Sequence, residues 1–181
     1  MKGIVFTELT EMLDKKFSME FTEEILAEAE LPSGGSYTSV GTYDHREMIE
    51  LVATLSRKTG LAGAELQKMF GRHLFDSFLA AHAPYFQVCS SAREMLASVN
   101  DVVHVEVRKL HADAELPEFT HRTLPDGTFE LEYRSKRPFA DLAEGLIAGC
   151  IEHYGDPVRL TRENVASGEE TRCVFRLQPV A

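Results

Sequence analysis

The stretch LPDGTFELEYRSKRPFADLAEGLIAGC, Leu124 to Cys150, changes its hydrophobic period in mid-course, and that change sets the fold class. A Pro-Asp-Gly turn opens it, and from Phe129 to Tyr133 large residues alternate with charged ones, the period of two of a half-buried strand. Three cations then fall within YRSKR, Tyr133 to Arg137. Beyond them apolar residues return at helical spacing from Pro138, well suited to the first turn of a helix, to a stop at Gly155. Upstream of the turn, Phe119 to Thr123 reads as a weaker partner strand, which makes the pair a hairpin. Downstream, Val158 to Arg162 and Thr171 to Gln178 alternate again and complete a four-stranded antiparallel sheet.

The ninety or so residues ahead of the sheet carry helical patterns. Phe21, Ile25, Leu26 and Ala29 mark a short helix, with a Pro, Gly and Ser loop behind it at 31–41. Asp44 with Glu47 is a capping pair for a helix bearing Met48, Leu51, Val52 and Leu55, closed by Gly60. Leu66, Met69, Phe70, Leu74 and Phe78 extend the period in a further helix that ends near Pro84. Ser91 and Glu94 open a long helix expected to run to about His111, with valine at 99, 102, 103, 105 and 107. Valine is a middling helix former, so burial in the fold is expected to hold this segment. The class that follows is α+β in one domain over residues 1–181. An N-terminal helical lobe covers about 1–60, and a second lobe, about 61–181, carries the valine-rich helix and the sheet.

Composition narrows the function. The chain is 44% hydrophobic, and acidic residues outnumber basic ones by 29 to 19, for a formal net charge of -10. A broad footprint for nucleic acid or an anionic membrane is therefore not expected, and a local cationic run carries more weight. The opening MKGIVFTELTEML holds too short an apolar run for a signal peptide or a membrane span, so a cytoplasmic protein is expected. Cys89, Cys150 and Cys173 lie far apart with no C-x-x-C pair, which favours reduced thiols over a disulfide framework or a zinc ribbon.

Three features resist explanation as ordinary core or turn. His104 stands between Val103 and Val105, where a buried ring must find a partner or lose roughly 1 to 3 kcal/mol. A core carbonyl would serve, and so would a metal. On an α-helical count Ala97 shares its face, with Asn100 and Asp101 to either side. Pro117 offers a rigid apolar ring between helix and strand, or simply a turn. In YRSKR, strand alternation puts Tyr133, Ser135 and Arg137 on one face and Arg134 and Lys136 on the other. The first set is a donor-rich clamp for carboxylates, although a solvated basic turn has the same composition.

Taken together, His104 in NDVVHVEV, Pro117 about a dozen residues later, and Y-x-S-x-R at Tyr133, Ser135 and Arg137 resemble the signature of the H-NOX domain, a haem-binding sensor of nitric oxide and oxygen. The likeness runs from MKGIVF through Gly71 and Phe78 to GLIAG at 145–149, and is weakest between residues 30 and 45. The resemblance implies a haem b with His104 as axial ligand through a neutral imidazole nitrogen. It implies propionates held by Tyr133, Ser135 and Arg137, Pro117 pressed on the macrocycle, and a cavity lined by Val5, Leu9, Leu74, Phe78, Leu142 and Leu146. Gly145 and Gly149 would let the last helix approach either a neighbouring helix or the flat ring.

Oxygen-holding members of the family carry a tyrosine in that helix, and its place here is Leu142, with Leu74 where a polar partner would complete the network. A missing donor worth roughly 1 to 3 kcal/mol lowers oxygen affinity about 10 to 100-fold, whereas NO suffers far less. The implied ligands are NO and CO with O2 excluded, unless Tyr43, Tyr85 or His73 reaches the pocket. Free-standing bacterial members serve a histidine kinase or a cyclic-di-GMP enzyme, so a separate effector of that kind is implied. No catalytic residues are expected: Tyr133 and Lys136 lack the Y-x-x-x-K spacing, and Ser135 and Lys136 point to opposite faces. The rival is a cofactor-free interaction module built around a satisfied core His104.

Overall fold

The computed structural model describes residues 1–181 apart from Ser167, Ala181 and the side chain of Leu110. Helix α1 (Gly3–Lys16) buries Phe6, Leu9, Met12 and Leu13 along one stripe, and Lys15 and Lys16 complement the dipole of its last turn. Ser18 caps α2 (Met19–Glu28) by accepting from the Phe21 amide at 3.2 Å. Asp44 caps α3 (His45–Thr59) through the Arg46 amide, and Gly60 closes it at φ 73°. Glu47 does not complete the expected capping pair. It is 5% exposed and accepts instead from the Ser33 and Tyr37 hydroxyls, which fastens the 31–41 loop to α3. Helices α4 (Gly63–Ala81) and α5 (Ala83–Gln87) follow.

The valine-rich segment is not one continuous helix. It divides into α6 (Ala92–Ser98), a π-helical turn over Val99–Val103, and α7 (His104–Leu110). The His104 amide bonds to the Val99 carbonyl, five residues back. Two features favour the wide turn: β-branched residues crowd a regular helix, and Asn100 turns to bond strand backbone on both sides of Phe119. The extra residue in the turn takes His104 off the face that an unbroken α-helical count shares with Ala97.

The strands are β1 (Glu118–Thr123), β2 (Phe129–Ser135), β3 (Val158–Val165) and β4 (Thr171–Pro179), in the order β1-β2-β4-β3 and antiparallel throughout. Register sets Tyr133 between Phe119 and Cys173, and Leu131 between His121 and Phe175. One face buries Phe129, Leu131, Tyr133, Cys173, Phe175 and Leu177, while the other carries ion pairs such as Glu130 with Arg122 and Arg176. Helix α8 (Ala140–Tyr154) begins two residues after Pro138, not at it. Phe139 takes a non-helical conformation and is 6% exposed, so burial of that ring delays the start of the helix.

Buried apolar side chains form two clusters. The first joins Phe6, Leu9, Met48, Leu51, Leu66, Phe70 and Leu74 with Phe139 and Leu142, and the second gathers Phe75, Phe86, Met95, Ile147 and the inner sheet face. Helices α4 and α8 contribute to both, and they meet backbone to backbone. A Cβ on Gly71 would lie 2.3 Å from the Leu142 oxygen, and one on Gly145 would lie 2.2 Å from the Lys68 oxygen. Close helix packing therefore accounts for the glycines of α8. Among the described residues no helix is long and apolar enough to cross a membrane. The three cysteines are free, with Cys150 and Cys173 buried.

Candidate functional site

His104 stands at the junction of the π turn and α7, where the break in register sets its ring inward at 8% exposure. Its ring centroid lies 5.9 Å from that of Phe119, which in turn meets Tyr133 edge-on at 5.5 Å. Its buried Nδ1 has no hydrogen-bond partner among the described residues, so no core carbonyl there satisfies that nitrogen. Burial, with a smaller contribution from the Arg108 charge, pushes its pKa down to about 4, so the imidazole is neutral at physiological pH.

That depression has a measurable consequence. With an ordinary value of 6.5 and a folded value of about 4, the folded chain binds fewer protons than the unfolded one between those limits. The stability from a neutral His104 is complete above pH 6.5 and is lost as pH falls toward 4. For the haem-free protein, lowering pH from 7 to 5 should cost about 2 kcal/mol through this group. Urea unfolding at both pH values should show a smaller loss, by about that amount, in a His104→Leu variant. Equal losses in the two proteins would overturn the assignment.

The second element of the site is the end of β2. Tyr133 is 2% exposed, and burial raises its phenol pKa, partly offset by the Ser135 hydroxyl beside it. The Ser135 oxygen accepts from the Arg137 amide at 3.0 Å, which turns the chain out of the strand. The Arg137 guanidinium is drawn in to 15% exposure and pairs with Glu115. Arg134 and Lys136 are exposed, and Arg134 pairs across the outer sheet face with Glu118. YRSKR is thus divided by the pleat, with only its even-numbered cations on the solvated side. Pro117 is half-buried just before β1, and a pair of hydrogen bonds, Asn100 Nδ2 donating to the Phe119 carbonyl and the Phe119 amide donating to Asn100 Oδ1, ties that junction to the π turn. Sequence reasoning placed Asn100 beside His104 and gave it no part to play; a lone Asn carries no signal of its own.

The six apolar candidates are i,i+4 pairs on three helices: Val5 and Leu9 on α1, Leu74 and Phe78 on α4, Leu142 and Leu146 on α8. Leu9, Leu74 and Leu142 belong to the first cluster, Val5 packs against it, and Phe78 and Leu146 touch both clusters. They line the seam between the two cores, and none has a hydrogen bond to give. Of the polar residues that could supply one, Ser77 donates its hydroxyl to Glu8, whereas the buried Nε2 of His73, 3.4 Å from the same carboxylate, makes no hydrogen bond among the described residues. Tyr43 accepts from the Thr38 amide at 2.8 Å among aromatic rings, and Tyr85 is 38% exposed beside His82. Among the described residues there is no cluster of His, Cys, Asp and Glu that could hold a metal ion.

This donor set fits a haem better than a bare ion. It offers one neutral, unpartnered imidazole, a cation and two hydroxyls at the end of β2, and a dry seam of aliphatic side chains.

A family model described as haem-NO-binding matches residues 2–162. An Fe(II) unliganded H-NOX protein from K. algicida is 31% identical over 99% of this chain and 98% of its own, with a TM-score of 0.88. An H-NOX from Shewanella woodyi, bound to IWP-051 in the Fe(II)CO ligation state, is 37% identical over 99% of this chain and 95% of its own, at a TM-score of 0.81. An H-NOX protein from S. oneidensis in the Fe(II)NO ligation state is 25% identical over 98% and 99%, at 0.85. No curated protein matches the chain.

Proposed function

This chain belongs to the haem-NO-binding (H-NOX) family of haem-based gas sensors, and from that premise we propose that it senses NO at a single ferrous haem b held by His104. The observation that carries the reading is the neutral, deeply buried His104 whose Nδ1 has no partner among the described residues. When bound, the haem supplies the coordination position at which NO and CO attach. His104 holds it as a neutral imidazole. Tyr133, Ser135 and Arg137 grip its two propionates through charge-assisted bonds worth on the order of 1.5 to 3 kcal/mol each. Pro117 would press its ring on the macrocycle, and the two hydrogen bonds between Asn100 and Phe119 tie the π turn to the strand that Pro117 precedes.

Val5, Leu9, Leu74, Phe78, Leu142 and Leu146 form the wall on the gas-binding side. Leu142 and Leu74 give no hydrogen bond to a bound gas, and Ser77 donates its hydroxyl to Glu8, which supports selection of NO and CO over O2. The S. oneidensis and S. woodyi relatives in their NO and CO states support the same pair of ligands. In this reading the domain has an N-terminal helical lobe, about residues 1–60, and a lobe, about 61–181, carrying His104 and the sheet. The protein is cytoplasmic, acts without catalysis of its own, and reports to a separate effector, a histidine kinase or a cyclic-di-GMP enzyme.

The test is the absorption spectrum of the reduced protein alone, with NO, and in air. A Soret band that shifts with NO and is not converted to a stable oxy complex in air is the expected result. A stable oxy complex would overturn the selectivity, and a protein that stays colourless after haem reconstitution would favour a cofactor-free interaction module.

A further inference from the structure

The segment from α7 to β1, residues 111–117, is tied to both halves of the molecule. The Asp113 carboxylate lies 3.2 Å from Lys2 Nζ and accepts from the Thr42 hydroxyl at 3.1 Å. Lys2 donates in turn to the Thr42 oxygen at 2.7 Å, and Lys2 and Thr42 face each other across an isolated antiparallel bridge. The ring of three contacts is closed, and its lysine is 14% exposed although Asp113 itself lies at the surface. Lys2 lowers the Asp113 pKa most, followed by the Thr42 hydroxyl. Two residues further on, Glu115 points the other way, to Arg137 at the end of β2.

The connection to His104 has little slack. The His111 amide bonds to the Val107 carbonyl at 2.8 Å and the Ala114 amide to the His111 carbonyl at 2.9 Å, so a hydrogen-bonded turn follows immediately on α7, which ends where His111 leaves the helical conformation. On the far side, Lys2 immediately precedes α1, the helix that carries Val5 and Leu9. A short covalent and hydrogen-bonded path therefore runs from His104 along α7 to Asp113, across to Lys2, and into the opposite wall of the seam.

We propose that NO binding moves the helix carrying His104 and that Asp113 is the positioning residue through which this movement reaches the N-terminal helices, a role that rests on the sensor reading above. An isolated surface ion pair contributes little, but this carboxylate has two partners that hold each other and that join the start of α1 to the chain entering α3. Transmission also needs no large total energy. It needs only a contact made in one arrangement of the helix and not in the other.

Hydrogen exchange of the haem-loaded protein tests this, with NO as the probe. In the wild type, NO should speed exchange in residues 2–9 and 38–43. Asp113→Ala should show exchange there that is several-fold faster already without NO, with less than half of the NO-dependent change remaining, while its haem and NO absorption bands match the wild type. Lys2→Met should do the same from the other side of the contact, and Asp113→Glu should restore at least half of the response. Wild-type exchange in both Asp113→Ala and Lys2→Met, before and after NO, would overturn the proposal. So would a wild type that binds NO with no exchange change in these residues, which leaves the sensor reading intact. A wild type without an NO spectrum would overturn both.

Discussion

Replacing His104 with alanine is expected to abolish the haem absorption band of protein prepared without added imidazole, and externally supplied imidazole should restore it. Removing a partner that merely orients a metal ligand lowers affinity 10 to 100-fold, so loss of the ligand itself should exceed about 100-fold. Stability provides the second arm. A structural histidine satisfied by the protein would be costly to remove, by its hydrogen bond and by the cavity together. His104 instead has a buried Nδ1 without a partner, so truncation relieves one penalty while it creates the cavity. Unfolding of the haem-free variant at pH 7 should therefore lie within about 1 to 2 kcal/mol of the wild type. A ligand and a core histidine thus move the two measurements in opposite directions. If His104→Ala kept the wild-type spectrum without imidazole, another residue would be the ligand.

Much of the fold can be read from local patterns, and the departures share a cause. The alternation from Phe129 to Tyr133 found β2, and the glycine stop at Gly60 and the serine cap at Ser91 stand where expected because each acts within a few residues of itself. The π turn at 99–103 was illegible because one of its supports, the backbone around Phe119, lies in a strand that the helix does not know locally. Glu47 left its capping role for the Ser33 and Tyr37 hydroxyls, and Phe139 postponed α8 in order to bury its ring. Helix α1 escaped notice because MKGIVF shows only a brief apolar run; its stripe emerges when the spacing is followed to Leu13. At the π turn, Glu47 and Phe139 a tertiary partner overrode a propensity.

The site divides along the same line. His104, Pro117 and the Y-x-S-x-R residues stand out because their chemistry is unusual for their surroundings, and sequence is enough to raise them. Whether His104 had found a carbonyl was undecidable without coordinates, since the answer depends on every backbone group near its ring. Lys2, Thr42, Asp113 and Glu115 gave no sign at all. They are ordinary polar residues in a short turn and near the chain start, brought together by the path of the chain between α7 and β1.

The largest loss of stability is expected from Gly145→Ala. The added Cβ would lie 2.2 Å from the Lys68 carbonyl oxygen and 2.9 Å from the Gly71 Cα, distances that only a shift of structure can relieve. Both obstacles are backbone within α4, so no side-chain rotation makes room, and the two helices must separate. Overpacked cores typically lose 1 to 3 kcal/mol, and contact of backbone with backbone should put this variant at about 3 kcal/mol or beyond. For a chain of this size that is a fall in Tm of roughly 10 °C. Gly149→Ala is the internal control: its Cβ would lie 3.0 Å from Phe75 Cβ and Cγ, a contact that a shift of a few tenths of an ångström relieves, so a loss of about 1 kcal/mol is expected. The consequence also reaches the proposed gas-binding side, because α4 carries Leu74 and Phe78 and α8 carries Leu142 and Leu146. Forcing the helices apart admits water to a wall whose dryness depends on their approach, so haem retention should fall with Tm in Gly145→Ala and stay near wild type in Gly149→Ala. Thermal unfolding of both variants, with and without haem, decides it. Equal Tm values for the two would mean that α4 and α8 yield at the backbone contact of Gly145 as easily as at the Phe75 side chain beside Gly149.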